Sequence, residues 1–221
     1  MNIISISGTH CNGKSSIFNE FKEELSKDSR FLFFGGPTRL LKEEGLPINQ
    51  SETESYDETQ YRCLTYDLDV LKQVSLLPKD KIVITERCIL DTYIYTKYLY
   101  EKGKVSKTCF DLVEKSYLLH RGDYKVFYIP THQELKYEKD GIRDGDIEFR
   151  EDIYKLFYDE YYGPQFHWYT GTMYSRMGHI YQLVKFHFKV KLNTMRSQDY
   201  YLEKYPKSNL IQREGVPKIF R

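Results

Sequence analysis

The chain has 221 residues, with 33 Lys and Arg against 32 Asp and Glu and a formal charge of +1. That length suits one domain with a full core, and 29% charged with 40% hydrophobic residues excludes disorder by composition. A near-neutral sum excludes a uniformly basic nucleic-acid binder, though not a local basic patch. Aromatic content is high, at 21 Tyr, 13 Phe and one Trp, most of it accounted for by filling of cores and rims. The four cysteines, Cys11, Cys63, Cys88 and Cys109, form no CxxC pair, so no zinc-ribbon or redox motif is visible. The start, MNIISISGTH, lacks the basic and apolar regions of an export signal. No apolar run approaches the ~20 residues of a membrane helix. A reducing, cytoplasmic setting without a membrane partner is the expectation.

In chain order, Asn2 to Ser7 reads as a short strand and Gly8 to Gly13 as a loop. Ile17, Phe18, Phe21 and Leu25 then recur at helical spacing. Phe31 to Phe34 is a second apolar run, closed by Gly35-Gly36-Pro37, and 38–45 reads as a short helix. A polar acidic stretch leads into a helix over about 57–76. Lys81 to Thr85 is a buried-strand candidate, followed by helices near 89–102 and 107–120. Lys125 to Ile129 is another strand, stopped by Pro130. The charged, glycine-bearing segment 136–150 reads as a mobile loop, then a helix over about 150–162, a strand over 166–170 and a helix from Arg176 to Val190. This alternation predicts an α/β fold with a largely parallel sheet and helices on both faces. Residues 1–188 form the expected domain and 189–221 a basic C-terminal extension.

Gly8-Thr-His-Cys-Asn-Gly13-Lys14-Ser15 matches G-x-x-x-x-G-K-[ST] in full, after a strand and before a helix, as that motif requires. Gly8, Asn12, Gly13 and Ser16 belong to the loop and helix start that wrap phosphate oxygens with backbone N–H groups. Lys14 is expected to reach the β- and γ-phosphates of ATP, and Ser15 to hold Mg2+. His10 and Cys11 read as loop positions whose backbones matter. Glu86 and Arg87 follow the strand at 81–85, at the sheet edge where open α/β folds bind ligands. Glu86 is the candidate to hold magnesium, directly or through water, or to take a proton from an acceptor hydroxyl. Arg87 is the candidate to neutralise charge on the transferring group. Asp91, one turn on, is a second candidate base.

Thr85 to Val105 resembles the Glu-Arg-Ser segment of deoxynucleoside kinases, and Phe127 to Arg150 is similar to the nicotinamide riboside kinase and thymidylate kinase type. The resemblance covers most of residues 1–162 and implies the nucleoside/nucleotide kinase branch of the P-loop NTPase fold. It also implies that 136–150 is a closing lid. Arg143 is then the first choice for a transition-state arginine and Arg150 the second. Arg39 would approach an acceptor phosphate. The acidic residue that deoxynucleoside kinases place in that loop is not evident in GGPTR, which weakens the case for simple nucleoside phosphorylation. Tyr61 and Tyr66, on the acceptor-facing helix, could stack a base.

Residues 189–221 hold eight Lys and Arg against three Asp and Glu, a net +5, which leaves −4 elsewhere. Mixed with Tyr200, Tyr201, Tyr205 and Phe220, this charge suits a helix docking on the acidic domain, or a nucleic-acid contact. The leading expectation is an ATP-dependent phosphotransferase acting on a nucleoside, nucleotide or nucleotide-like metabolite, with room for a homodimer. One alternative is a kinase acting on a hydroxyl of a modified base or end in DNA or RNA. Another is a regulatory P-loop NTPase without an acceptor, although no N-K-x-D and no strand ending in paired acids is present.

Overall fold

A computed structural model describes residues 1–10, 12–48, 55–131, 147–160, 163–192 and 195–206. The strands are β1 (Ile3–Ile6), β2 (Phe31–Phe34), β3 (Ile82–Glu86), β4 (Val126–Thr131) and β5 (Phe166–Thr170). They form one sheet in the order β2-β3-β1-β4-β5, with every pairing parallel. The helices are α1 (Lys14–Leu25), α2 (Thr38–Glu43), α3 (Asp57–Ser75), α4 (Ile89–Glu101), α5 (Lys107–His120), α6 (Ile147–Asp159), α7 (Met173–Phe188) and α8 (Gln198–Lys204).

The two-residue period of the strands sorts their side chains into two cores. Ile3, Val83, Phe127 and Ile129 face α3, α4, α5 and α6, while Ile4, Ile6, Ile82, Ile84, Val126 and Tyr128 face α1, α7 and α8. Burial on both faces explains why β1 and β3 read as near-continuous apolar runs. Ser5 within β1 and Ser7 just beyond it interrupt the first face. Their hydroxyls meet each other at 2.7 Å, and Ser7 Oγ meets Cys88 Sγ at 3.3 Å, so both buried hydroxyls are satisfied.

The expected alternation is present, with shifted ends. Helix α7 starts at Met173 rather than Arg176, because Thr172 caps it by accepting the Ser175 N–H. Helix α6 starts at Ile147 rather than at Arg150, which therefore lies within its first turns. Helix α8 lies in the C-terminal extension, where a docking helix was expected without bounds. It is capped by Ser197 and buries Tyr201 completely in the second core. The expected lid lies outside the described residues from 136 to 146, Arg143 included, as do Cys11 and residues 207–221. Among the described residues no helix is long and apolar enough to cross a membrane.

Candidate functional site

The phosphate loop leaves the C-terminal end of β1, the central strand, and passes directly into α1. Two glycines permit this path. Gly8 has φ +123°, and a Cβ there would sit 3.1 Å from Ile129 Cγ2, while Gly13 has φ +73° and caps α1. Side chains brace the loop from within. Lys14, buried, donates from Nζ to the Thr9 carbonyl, and Asn12 Nδ2 donates to Thr9 Oγ1. His10 stacks on Phe149 of α6 at 5.0 Å. Ser16 is half-buried in α1.

Two carboxylates meet the loop. Ser15 Oγ donates to Glu86 Oε1, joining the start of α1 to the end of β3. Asp91 is buried and its oxygens are engaged. Oδ2 accepts the Cys88 N–H at 3.2 Å as part of a capping box at α4. Oδ1 accepts the Gly8 N–H at 3.2 Å and faces Arg87 Nη1 at 3.4 Å. Burial raises the Asp91 pKa against the opposing pull of Arg87 and Lys14. Asp91 is thus a tie between phosphate loop and α4, with both oxygens already occupied.

Arg87 adopts a left-handed backbone, φ +68°, which costs a non-glycine residue roughly 1–2 kcal/mol. The turn is held by its N–H on the Ile6 carbonyl, 3.0 Å. It sends the guanidinium over the Tyr95 ring at 5.1 Å and into a recess beside the phosphate loop. Burial alone would lower the Arg87 pKa, but Tyr95, Asp91 and Glu86 outweigh it and keep the group cationic.

The recess encloses about 510 Å³, including its solvent-filled mouth, between α2, α3 and α4. Tyr56, Gln60, Cys63, Asp67, Thr92 and Tyr95 line it with Arg87 and Asp91. Asp67, which sequence reasoning missed, is 4% exposed and accepts a hydrogen bond from Thr92 Oγ1 at 2.6 Å. Burial pushes its pKa up to about 8. Burial also pushes the Cys63 thiol up to about 12, so it is neutral and unreactive.

The expected acceptor residues divide. Tyr66 is near the site, its hydroxyl on the Gly35 carbonyl at 2.6 Å. Tyr61 turns away, packed in the first core with its hydroxyl by Cys109 and Ser106 of α5. Tyr56 and Tyr95 line the recess in its place. Arg39 is exposed on α2, and the two residues before Arg39, Pro37 and Thr38, line the recess. Arg150 is half-buried in α6.

Arg176 of α7 was also missed. It is 2% exposed, with Nε donating to the Gly171 carbonyl at 2.8 Å and Nη1 to the Asn12 carbonyl at 3.2 Å. It ties the β5–α7 turn to the phosphate loop. Burial lowers its pKa to about 10, so it stays charged at neutral pH.

A phosphate loop on the central strand of this parallel sheet defines a P-loop NTPase fold. The profile of a family described as an AAA domain matches residues 3–171, and the chain belongs to that family. Solved structures share the fold, among them three kinds of protein. The NadR protein in complex with NR superposes with a TM-score of 0.59 at 17% identity, over 89% of this chain and 54% of that one. The chain therefore spans about half the length of NadR. Thymidylate kinase from Candida albicans gives 0.57 at 17% identity, over 87% and 95% of the two chains. Deoxyadenosine kinase from M. mycoides, with dCMP and dCDP bound, gives 0.59 at 18%, over 83% and 98%. No curated protein matches the chain in sequence.

Proposed function

We propose that the chain is an ATP-dependent phosphotransferase that moves the γ-phosphoryl group to a nucleoside, nucleotide or nucleotide-like acceptor held in the recess. One observation carries this reading: Arg87 and Asp91 line the recess, Asp91 also accepts the Gly8 N–H of the phosphate loop, and Glu86, next to Arg87 in sequence, meets Ser15 at the start of α1. Donor and acceptor sites so arranged suit direct transfer between bound partners. NadR bound to NAD and AMP-PNP, and deoxyadenosine kinase bound to dATP, share the fold and support a nucleotide donor.

Magnesium suits the donor set. Ser15 Oγ and Glu86 Oε1 meet at the loop, and among the described residues no three His, Cys, Asp or Glu side chains form a metal cage. An ion completed by phosphate oxygens needs only such partners. A magnesium ion held by Ser15 and, directly or through water, by Glu86 would neutralise charge developing on the transferring phosphoryl group. Lys14 Nζ exchanges the Thr9 carbonyl for phosphate oxygens. Glu86 either positions the ion, through water, or accepts the proton of the acceptor hydroxyl. Arg87 donates to the acceptor or the transferring group, and Arg39 meets an acceptor phosphate at the rim.

The described part of the extension favours docking over nucleic-acid contact. Arg196, Tyr200 and Lys204 are engaged with Glu20 and Glu23 of α1. Acceptor-stimulated ATP turnover tests the function. Wild-type protein is expected to turn over ATP faster when a nucleoside or nucleotide is added, and Lys14→Ala to lose that turnover. Unchanged phosphoryl transfer by Lys14→Ala contradicts the reading.

A further inference from the structure

We propose that Asp67 determines acceptor specificity by donating a hydrogen bond from Oδ1 to a carbonyl oxygen on the acceptor's ring. The proposal rests on the recess being the acceptor site.

Helix α3 presents Gln60, Cys63 and Asp67 to the recess, and α4 presents Asp91, Thr92 and Tyr95. Two hydroxyls of α4 fix the α3 side: Thr96 meets Gln60 Oε1 at 2.9 Å and Thr92 donates to Asp67 Oδ2 at 2.6 Å. Asp67 is therefore a held wall of the recess.

Its electrostatic surroundings differ from those of Asp91. Arg87 turns Nη1 to Asp91 and its guanidinium face to Tyr95, and Asp91 also receives two backbone N–H groups. Asp67 is answered by a neutral hydroxyl. The titratable and charged groups around it are Cys63 and Tyr66 of α3, Arg87, Cys88 and Asp91 from the β3–α4 turn and α4, and Tyr124 before β4. The thiols and phenols among these are all raised, hence neutral at pH 7. Burial, helped by the charge of Asp91, outweighs Thr92 and Arg87 and brings Asp67 to about 8. At neutral pH its carboxyl thus retains a proton. Because Thr92 donates to Oδ2, that proton belongs on Oδ1, the oxygen left for a ligand.

An O–H donor fixed in a buried wall pairs with a carbonyl oxygen. An amino group at the same place sets donor against donor, and each is left unsatisfied. The acceptor class is then a lactam-type ring, as in uracil, thymine or hypoxanthine, over its amino counterpart, as in cytosine or adenine.

The test compares matched pairs that differ in this group: deoxyuridine against deoxycytidine and deoxyinosine against deoxyadenosine, each also as the 5′-monophosphate. Binding is read by calorimetry, and KM and kcat separately, from pH 6.5 to 9.5. The carbonyl member is expected to be favoured at least about tenfold at pH 6.5. Its KM is expected to rise about tenfold between pH 7 and 9 as Oδ1 loses its proton, with kcat little changed. Asp67→Asn keeps a donor that does not titrate, so its KM is expected to stay flat. Preference for the amino member, or a wild-type preference that does not change with pH, overturns the proposal. The second result stands on wild-type protein alone, even if the variant does not fold. If no acceptor is phosphorylated, the functional reading fails, while calorimetry still reports the preference separately.

Discussion

At the scale of single residues, Asp67 and Arg176 are buried ionisable groups that the fold treats in opposite ways. The folded protein raises the Asp67 pKa from 3.8 to about 8, so it favours the protonated form. The stability this contributes is complete below pH 3.8 and is lost as pH climbs towards 8. Asp67→Asn, neutral throughout, is therefore expected to gain on the wild type across that window, by at most about 1.4 kcal/mol per pH unit. Thermal unfolding from pH 4 to 8 checks this, and parallel curves for the two proteins contradict it. Arg176 remains charged and places its donors on the Asn12 and Gly171 carbonyls. Arg176→Met keeps much of the volume and frees the loop, so ATP affinity is expected to fall about tenfold or more, read by calorimetry. Ser15→Ala, which removes the hydroxyl shared with Glu86, is expected to lower kcat about 10²-fold or more.

At the scale of elements, the C-terminal segment clasps the helix that carries the phosphate loop. Glu20 of α1 is 1% exposed and receives Arg196 Nη1 at 3.2 Å, Lys204 Nζ at 2.5 Å and Tyr205 OH at 2.8 Å. Glu24 accepts from Tyr181 and Tyr201. Several tyrosines of the aromatic excess are thus amphipathic clasps, with rings in the second core and hydroxyls on α1 carboxylates. Tyr201→Ala removes a wholly buried ring and is expected to cost about 3 kcal/mol, with faster hydrogen exchange in α1. An unchanged unfolding midpoint contradicts this role. The sequence was least informative about such contacts. Helix α8 spans seven residues, too short for a periodic pattern to stand out. Tyr61 and Tyr66 could be placed on α3, but which faces the recess depends on how α3 sits against α4 and α5. Local periodicity does not specify that packing.

For the molecule as a whole, the parallel sheet was legible because burial on both faces leaves unbroken apolar strands such as Lys81 to Thr85. Lys14, Ser15, Glu86 and Arg87 were legible because a strand, a turn and a helix start place them by local chemistry alone. Gln60, Asp67 and Arg176 were not. They reach the site from α3 and α7, and nothing in their neighbourhood in sequence distinguishes them from surface residues. Charge follows the same division. The net +1 combines a −4 body with a +5 extension, and the described part of that extension neutralises α1. The central claim is that the Glu86–Asp91 turn, with Glu86 on Ser15 and with Arg87 and Asp91 in the recess, joins a donor site to an acceptor site. Its most direct test follows the label from γ-labelled ATP in the presence of nucleosides and their monophosphates. The account predicts label covalently on the acceptor, lost in Lys14→Ala and reduced in Arg87→Ala. Label found only as free phosphate, with every acceptor unmodified, would contradict it.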